Sequence, residues 1–189
     1  VCNLSCYMCR IKDSSSRIKQ TEKLMEIDPE FGKILEYDKL TDEMKHGGVN
    51  YNVIEDLKKL APKISKIYII GGEPFIMPRH YEVLNALIEI DQAKNIILKY
   101  HTNLTKLEWE GNHIFDYIKK FKGCDINWSL EALGEQNDYI RYGSDWKSNL
   151  ENYYKIKKHA KVWANVCASS LSILSLHKTI EWMKSEGLG

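Results

Sequence analysis

The sequence predicts an α/β chain whose parallel strands alternate with helices and curve into a barrel, or an open partial barrel, around a polar cavity. Three observations carry this. From about position 50 onward the hydrophobic spacing switches repeatedly between helical and strand periods. The two patterns alternate as they do in βαβ units. Several strands also pair an apolar set of side chains with a polar one, where a parallel strand covered on both faces would be apolar throughout.

Taken in order, Val53, Leu57 and Leu60 recur at helical spacing, and IYII at 67–70 is a short β-branched run. Tyr81, Leu84, Leu87 and Ile88 make the next helical stripe, followed by the strand NIILKYHT at 95–102. Ile114, Ile118 and Phe121 mark a helix before the strand DINWSL at 125–130. Trp146, Leu150, Tyr153 and Tyr154 line a helix, KVWANVCAS at 161–169 is a fourth strand, and Leu176, Ile180 and Met183 line the last helix. Side chains change face at every strand residue. Lys99, His101 and Asn103 therefore share a face, as do Asn127, Ser129 and Glu131, and Asn165, Cys167 and Ser169. Their neighbours, such as Leu98, Tyr100, Ile126, Trp128, Val162 and Ala164, form the apolar side for the helices.

The segment from Asp13 to Asn50 is different. It is charged, opens with SSS at 14–16 and contains Asp28–Pro29 and Gly47–Gly48 breaks, so it reads as loops with one or two short helices. It is an insertion between the cysteine-rich start and the first regular βα unit, either a solvated excursion or a substrate-facing lid.

At 189 residues the chain suits one domain. Its 43% hydrophobic and 28% charged residues are those of an ordinary globular protein. A net charge of +1 gives no bias toward nucleic acid or an anionic membrane. No apolar run is long enough to span a bilayer, and no secretion signal is visible, which predicts a cytoplasmic protein. The chain lacks an initiator Met and stops at GLG just after a helical pattern, the marks of a fragment.

Three of the five cysteines, Cys2, Cys6 and Cys9, crowd into CNLSCYMC. An odd, clustered set is a poor disulfide framework and points to metal or redox chemistry in a reducing compartment. A structural zinc site wants four ligands, and Cys124 and Cys167 lie far along the chain, where they read as small buried hydrophobes. Three thiolates on a cubane leave one iron free for another ligand, which suits catalysis; thiolate softness also allows zinc.

CNLSCYMC at 2–9 resembles the CxxxCxΦC motif of radical S-adenosylmethionine (radical SAM) enzymes. GGEP at 71–74 follows a strand, as that family's GGEP motif does, and TNLT (102–105) and SLEA (129–132) close the next two strands. The resemblance runs from position 2 to about 186. It implies one core domain over 1–189, with 13–50 as the insertion, and a partial (β/α)6 TIM-like barrel truncated at its first and last strands. It also implies a [4Fe-4S] cluster on Cys2, Cys6 and Cys9, with S-adenosylmethionine on its open iron. Cleavage of that cofactor to a 5′-deoxyadenosyl radical, fed by an electron donor such as flavodoxin or ferredoxin, is the implied chemistry.

By the same resemblance, Gly71, Gly72, Glu73 and Pro74 form the turn beside the methionine ammonium, and Tyr7 shapes the cluster loop against adenine. Ser129 and Arg141, twelve positions apart (141 − 129), match a pair that holds the methionine carboxylate in the peptide-modifying branch. Asn103 and Asn165 contact ribose or methionine. His101 and Glu131, on polar strand faces, orient substrate, move protons or serve as structural hydrogen-bonding groups. The 62 positions from Cys9 to Gly71 (71 − 9) are long for the family. SPASM or twitch auxiliary-cluster motifs are not in this sequence. A peptide or protein substrate is the reading favoured by the Ser129–Arg141 spacing; a non-catalytic zinc or iron–sulfur module is the alternative.

Overall fold

A computed structural model describes residues 2–42 and 53–188. Its centre is a sheet of four strands, β1 (Lys66–Ile69), β2 (Ile97–Thr102), β3 (Gly123–Leu130) and β4 (Lys161–Val166), all parallel. Their spatial order is their chain order. A doubly wound sheet reverses direction at a switch point, whereas a barrel steps the same way at each crossover. The observed order is therefore that of a partial barrel, as the sequence predicts.

The crossovers are helical. Before β1 come α1 (Ser15–Ile27), α2 (Glu30–Ile34) and α3 (Val53–Leu60). Then α4 (Pro78–Glu89) links β1 to β2, α5 (Ile114–Ile118) links β2 to β3, and α6 (Gly134–Ile140) with α7 (Trp146–Ile156) links β3 to β4. α8 (Leu176–Glu186) follows β4.

The sheet has two unlike faces. Along β2 and β3 burial alternates residue by residue. Leu98 and Tyr100, opposite Cys124 and Ile126, point into a core completed by Leu84 and Leu87 of α4, Ile114 of α5 and Tyr153 and Ile156 of α7. Trp128 is its centre, stacked on Tyr153 at 5.4 Å and Trp146 at 5.9 Å, with Trp182 edge-on at 6.1 Å. The other face carries Tyr68, Lys99, His101, Asn127, Ser129 and Asn165, half-buried or exposed. Register aligns His101 with Asn127 and Ser129 with Asn165. The polar side of the strands is thus one continuous surface.

Several details differ from the sequence reading. The charged stretch after the cysteines contains a 13-residue helix, α1, with Ser14 as N-cap accepting from Arg17 N–H and only Ile18 and Thr21 buried. Too few apolar positions mark it for periodicity to find. The Gly47–Gly48 break lies outside the described residues. In α3 only Leu57 packs on the core while Val53 and Leu60 are exposed, and in α7 Tyr154 is exposed. α8 turns Thr179, Trp182 and Met183 inward, not Ile180. β4 ends at Val166, so Cys167 is exposed, whereas Cys124 is buried as expected. An unanticipated hairpin pairs Glu108–Trp109 with Asn112–His113 through Glu110 and Gly111, both at positive φ. Among the described residues no helix is long and apolar enough to cross a membrane.

Candidate functional site

The cysteine loop is fixed from two sides. From one side come the serines of the α1 start: Ser14 Oγ donates to Leu4 O, and Ser15 and Ser16 Oγ donate to Cys2 O at 2.9 and 3.1 Å. Arg17 Nη1 donates to Cys6 O. From the other side, Ser5 N–H donates to Tyr142 O at 2.8 Å and Tyr7 N–H to Ile140 O at 3.0 Å. Gly143, at φ +96°, gives that segment a backbone conformation other residues rarely adopt, next to Asn3 and Leu4. SSS at 14–16, read from sequence as the start of an excursion, is a clamp on the cysteine loop.

All five cysteines are free thiols. Cys6 and Cys9 share a hydrogen bond that pushes Cys9 down to about 6, helped by the Arg141 and Arg17 charges. The same bond and burial push Cys6 up, and burial pushes Cys2 up. Among the described residues no group of three His, Cys, Asp or Glu side chains is arranged to hold a single metal ion. A cubane attaches its thiolates to three different irons, so it does not ask three sulfurs to converge on one point. Three free thiols on one clamped loop beside a guanidinium fit that group chemically.

The GGEP turn sits at the C-terminal end of β1. Gly71 has φ +135°, a conformation other residues rarely adopt; Gly72 is not at positive φ. Pro74 opens a buried 3-10 turn, Pro74–Ile76. Glu73 is fully buried, with Oε1 accepting from Thr102 Oγ1 (2.7 Å) and Phe75 N–H (3.2 Å) and Oε2 accepting from Asn103 N–H (2.6 Å). Burial pushes its carboxyl up to about 7 despite those donors. The turn is thereby latched to the end of β2.

Asn103 joins the latch to the cysteines. Its Nδ2 lies 3.9 Å from Cys2 Sγ and donates to Asn3 Oδ1 at 3.0 Å, while its Oδ1 accepts from Thr105. The next residue, Leu104, is fully buried at φ +60°, a strained conformation held by Thr102 Oγ1 and Asn152 Nδ2.

At the end of β3, Glu131 Oε1 accepts from Arg141 Nη1 at 3.0 Å in a buried ion pair, and its Oε2 accepts from Cys167 N–H at 3.0 Å. Burial pushes the Glu131 carboxyl up, and Arg141 counters it. The Arg141 charge reaches Cys2, Cys6, Cys9 and Glu73. The sequence singled out both residues without signalling that they meet. Ser129 lies half-buried on the polar sheet face across from Asn165.

His101 and Asn165 stand lower on that face, with His101 Nε2 3.2 Å from Asn165 Nδ2 and 2.5 Å from the Tyr68 hydroxyl. Partial burial and Lys99 hold His101 below the usual histidine range. Tyr68 went unnoticed in the sequence because it reads there as one residue of an apolar strand. Tyr7 stacks on Tyr139 with ring centroids 5.2 Å apart, and both rings stay half exposed. The structure thus gathers Cys2, Cys6, Cys9, Glu73, Asn103, Glu131 and Arg141, and leaves His101, Asn165 and Tyr68 as a separate group on the same face.

No curated protein sequence matches the chain. Among solved structures, native anSMEcpe with bound AdoMet superposes with a TM-score of 0.63 at 16% identity, over 99% of this chain and 47% of that one. SuiB of Streptococcus suis bound to the precursor peptide SuiA gives 0.53 at 16% identity, over 94% of this chain and 34% of that one. The chain therefore spans less than half the length of either, and the likeness is one of fold. The family model for the radical SAM superfamily matches residues 1–170. On that match, together with the cysteine loop, the GGEP latch and the parallel partial barrel, the chain belongs to the radical SAM superfamily.

Proposed function

We propose that this chain is the core of an enzyme that binds a [4Fe-4S] cluster through Cys2, Cys6 and Cys9 and cleaves S-adenosylmethionine reductively. One observation carries the reading: Asn103 links three motifs at one point. Its main-chain N–H holds Glu73 of GGEP, its side chain reaches Cys2, and it directly follows the last residue of β2. When bound, cluster and S-adenosylmethionine supply one-electron cleavage of the sulfonium and a 5′-deoxyadenosyl radical that takes hydrogen from a substrate.

The chain's own groups position and shield. The serine clamp and Arg17 hold the loop that presents the thiolates. Gly71 and Gly72 keep backbone open to a ligand, Pro74 stiffens the turn, and Glu73 would accept from the methionine ammonium. Arg141 gives one Nη to Glu131 and keeps its remaining donors for a carboxylate, the role its spacing from Ser129 suggests for the pair. Asn103 and Asn165 offer amides to ribose or methionine, and the half-exposed Tyr7 ring offers a stacking face to adenine. His101 and Glu131 serve proton movement or substrate orientation on the polar face.

The substrate class in this reading is a peptide or protein, handled by the SPASM or twitch branch. The Ser129–Arg141 spacing supports it, and SuiB, solved with its precursor peptide SuiA, shares the fold. A flavodoxin or ferredoxin supplies the electron, and free thiols of this kind suit the cytoplasm.

The test is anaerobic reconstitution of the full-length protein with iron and sulfide, followed by dithionite and S-adenosylmethionine. The expected product is 5′-deoxyadenosine, lost in Cys6→Ser. A protein that holds its cluster yet never cleaves the sulfonium, or that purifies with stoichiometric zinc and no iron, overturns the reading.

A further inference from the structure

Lys99 has no part in the chemistry just described, yet it stands half-buried on the polar face of the sheet. A lysine withdrawn from water ordinarily keeps its ammonium beside a carboxylate. Lys99 makes no ion pair among the described residues, not even with Asp125, its register neighbour on β3. Its Nζ lies instead 5.6 Å from the centroid of the Tyr68 ring on β1.

A cavity of about 370 Å³ opens at this lysine. Lys99, Asn127, Trp163 and Asn165 give it polar atoms, Met183 and Leu188 give it an apolar end, and no carboxylate among the described residues lines it. Asn165 also ties the cavity to the neighbouring polar group, since its Nδ2 lies 3.2 Å from His101 Nε2, which in turn meets the Tyr68 hydroxyl at 2.5 Å. All four strands thus contribute to one connected polar patch. Its charge is that of a single ammonium among neutral amides, which one negative charge balances. A carboxylate meets that need and accepts from several donors at once. A phosphate group, nearer two negative charges, would leave charge unbalanced in a half-buried place.

Depth also matters. Lys99 lies three residues before the end of β2 (102 − 99), and Asn127 three before the end of β3 (130 − 127). At about 3.3 Å per residue the cavity sits roughly 10 Å below the strand ends beside which Cys2, Glu73 and Asn103 gather. A molecule anchored here has its C–H bonds in the space between anchor and strand ends.

We propose that this cavity holds a carboxylate of the substrate, gripped by Lys99 and by the amides of Asn127 and Asn165. The inference rests on the reading of the chain as a radical SAM enzyme acting on a peptide or protein, and it narrows that class to one bearing an acidic side chain or a free C-terminus near the reacting carbon.

The experiment reads the reactivity of Lys99 itself. The full-length, cluster-loaded protein is partially methylated with formaldehyde and dimethylamine–borane, reagents without a carboxylate, and each lysine is scored by peptide mass spectrometry. Three acetylated probes compete: Ala-Ala-Glu-Ala-Ala amide, Ala-Ala-Gln-Ala-Ala with a free C-terminus, and Ala-Ala-Gln-Ala-Ala amide, which has neither carboxylate. Protection follows 1 + [L]/Kd, so a probe at about four times its Kd slows methylation of Lys99 about fivefold. At least one of the first two probes gives that protection, and which one it is names the source of the carboxylate. The neutral amide gives none, and Lys106, exposed and likewise without an ion pair, is not protected by any of them. In Asn127→Leu the protection of Lys99 drops to about twofold. Protection by all three probes alike, by none of them, or undiminished in Asn127→Leu overturns the carboxylate site and leaves the reading of the chain standing. A wild-type protein that makes no 5′-deoxyadenosine with dithionite and S-adenosylmethionine overturns that reading instead, and the cavity's substrate role with it.

Discussion

Arg141→Met separates charge pairing from packing at the end of β3. Arg141 and Glu131 are both buried, with side chains 10% and 5% exposed and Nη1 3.0 Å from Oε1. Methionine keeps much of the volume and removes the charge, so Glu131 is left in a buried site with only Cys167 N–H as donor. A stranded carboxylate can escape by taking up a proton, and that sets the ceiling on the penalty. At pH 7, protonating a group whose ordinary pKa is 4.5 costs 1.36 × (7.0 − 4.5), about 3 kcal/mol; at pH 5 the same step costs under about 1 kcal/mol. The sign follows: burial already raises the folded pKa of Glu131 above its unfolded value, and loss of the Arg141 charge raises it further. Its share of stability is therefore intact below pH 4.5 and lost as pH rises toward that folded value. Urea denaturation of wild type and variant at pH 5 and pH 7, followed by far-UV circular dichroism, reads the difference. A loss of up to about 3 kcal/mol at pH 7 that falls to no more than about 1 kcal/mol at pH 5 is expected. Adding Glu131→Gln to the variant should abolish the pH dependence. Equal losses at both pH values would show that Arg141 acts through packing alone and refute the electrostatic account.

Other expectations follow from the same kind of contact. Glu73→Gln gains on the wild type by about 3 kcal/mol between pH 5 and pH 8, because the wild-type carboxyl, pushed up to about 7, loses stability over that range and an amide does not; denaturation midpoints across pH check it. Ser14→Ala removes both the α1 N-cap and the bond to Leu4 O, costing about 1–2 kcal/mol and slowing iron uptake by the loosened cysteine loop, read by absorbance during reconstitution. Trp128→Ala, at the centre of the aromatic stack, costs about 3–5 kcal/mol in thermal or urea denaturation.

The fold was legible because burial writes itself into a sequence at short range. Ile126, Trp128 and Leu130 alternate with Asn127 and Ser129, and the structure puts the first set in the core and the second on the open face. Where burial is sparse the signal fails. α1 offers Ile18 and Thr21 to the interior and is held mainly by its N-cap and by Ser15, Ser16 and Arg17 reaching the cysteine loop. Those contacts join residues 11 to 14 positions apart through side-chain oxygens and a guanidinium, which no hydrophobic period records.

The site divides along the same line. Which residues to single out could be read, because cysteine spacing and GGEP are local; which residues they touch could not, because sheet register makes that choice. Glu73 meets Asn103 across 30 positions and Asn103 meets Cys2 across 101. Glu131 and Arg141, given separate roles from sequence, turn out to satisfy each other. The pairing has a physical reason. A charged group buried without a partner costs several kcal/mol, so Glu73, Glu131 and Arg141 can sit at the strand ends only if neighbours supply donors and acceptors. Glu73 receives three donors and Glu131 receives Arg141 and a main-chain N–H. Each bond that makes burial tolerable also removes freedom from the group. The strand ends therefore present polar atoms already fixed in direction, beside a thiol loop fixed by serines, and a charged ligand arriving there finds little left to reorganise.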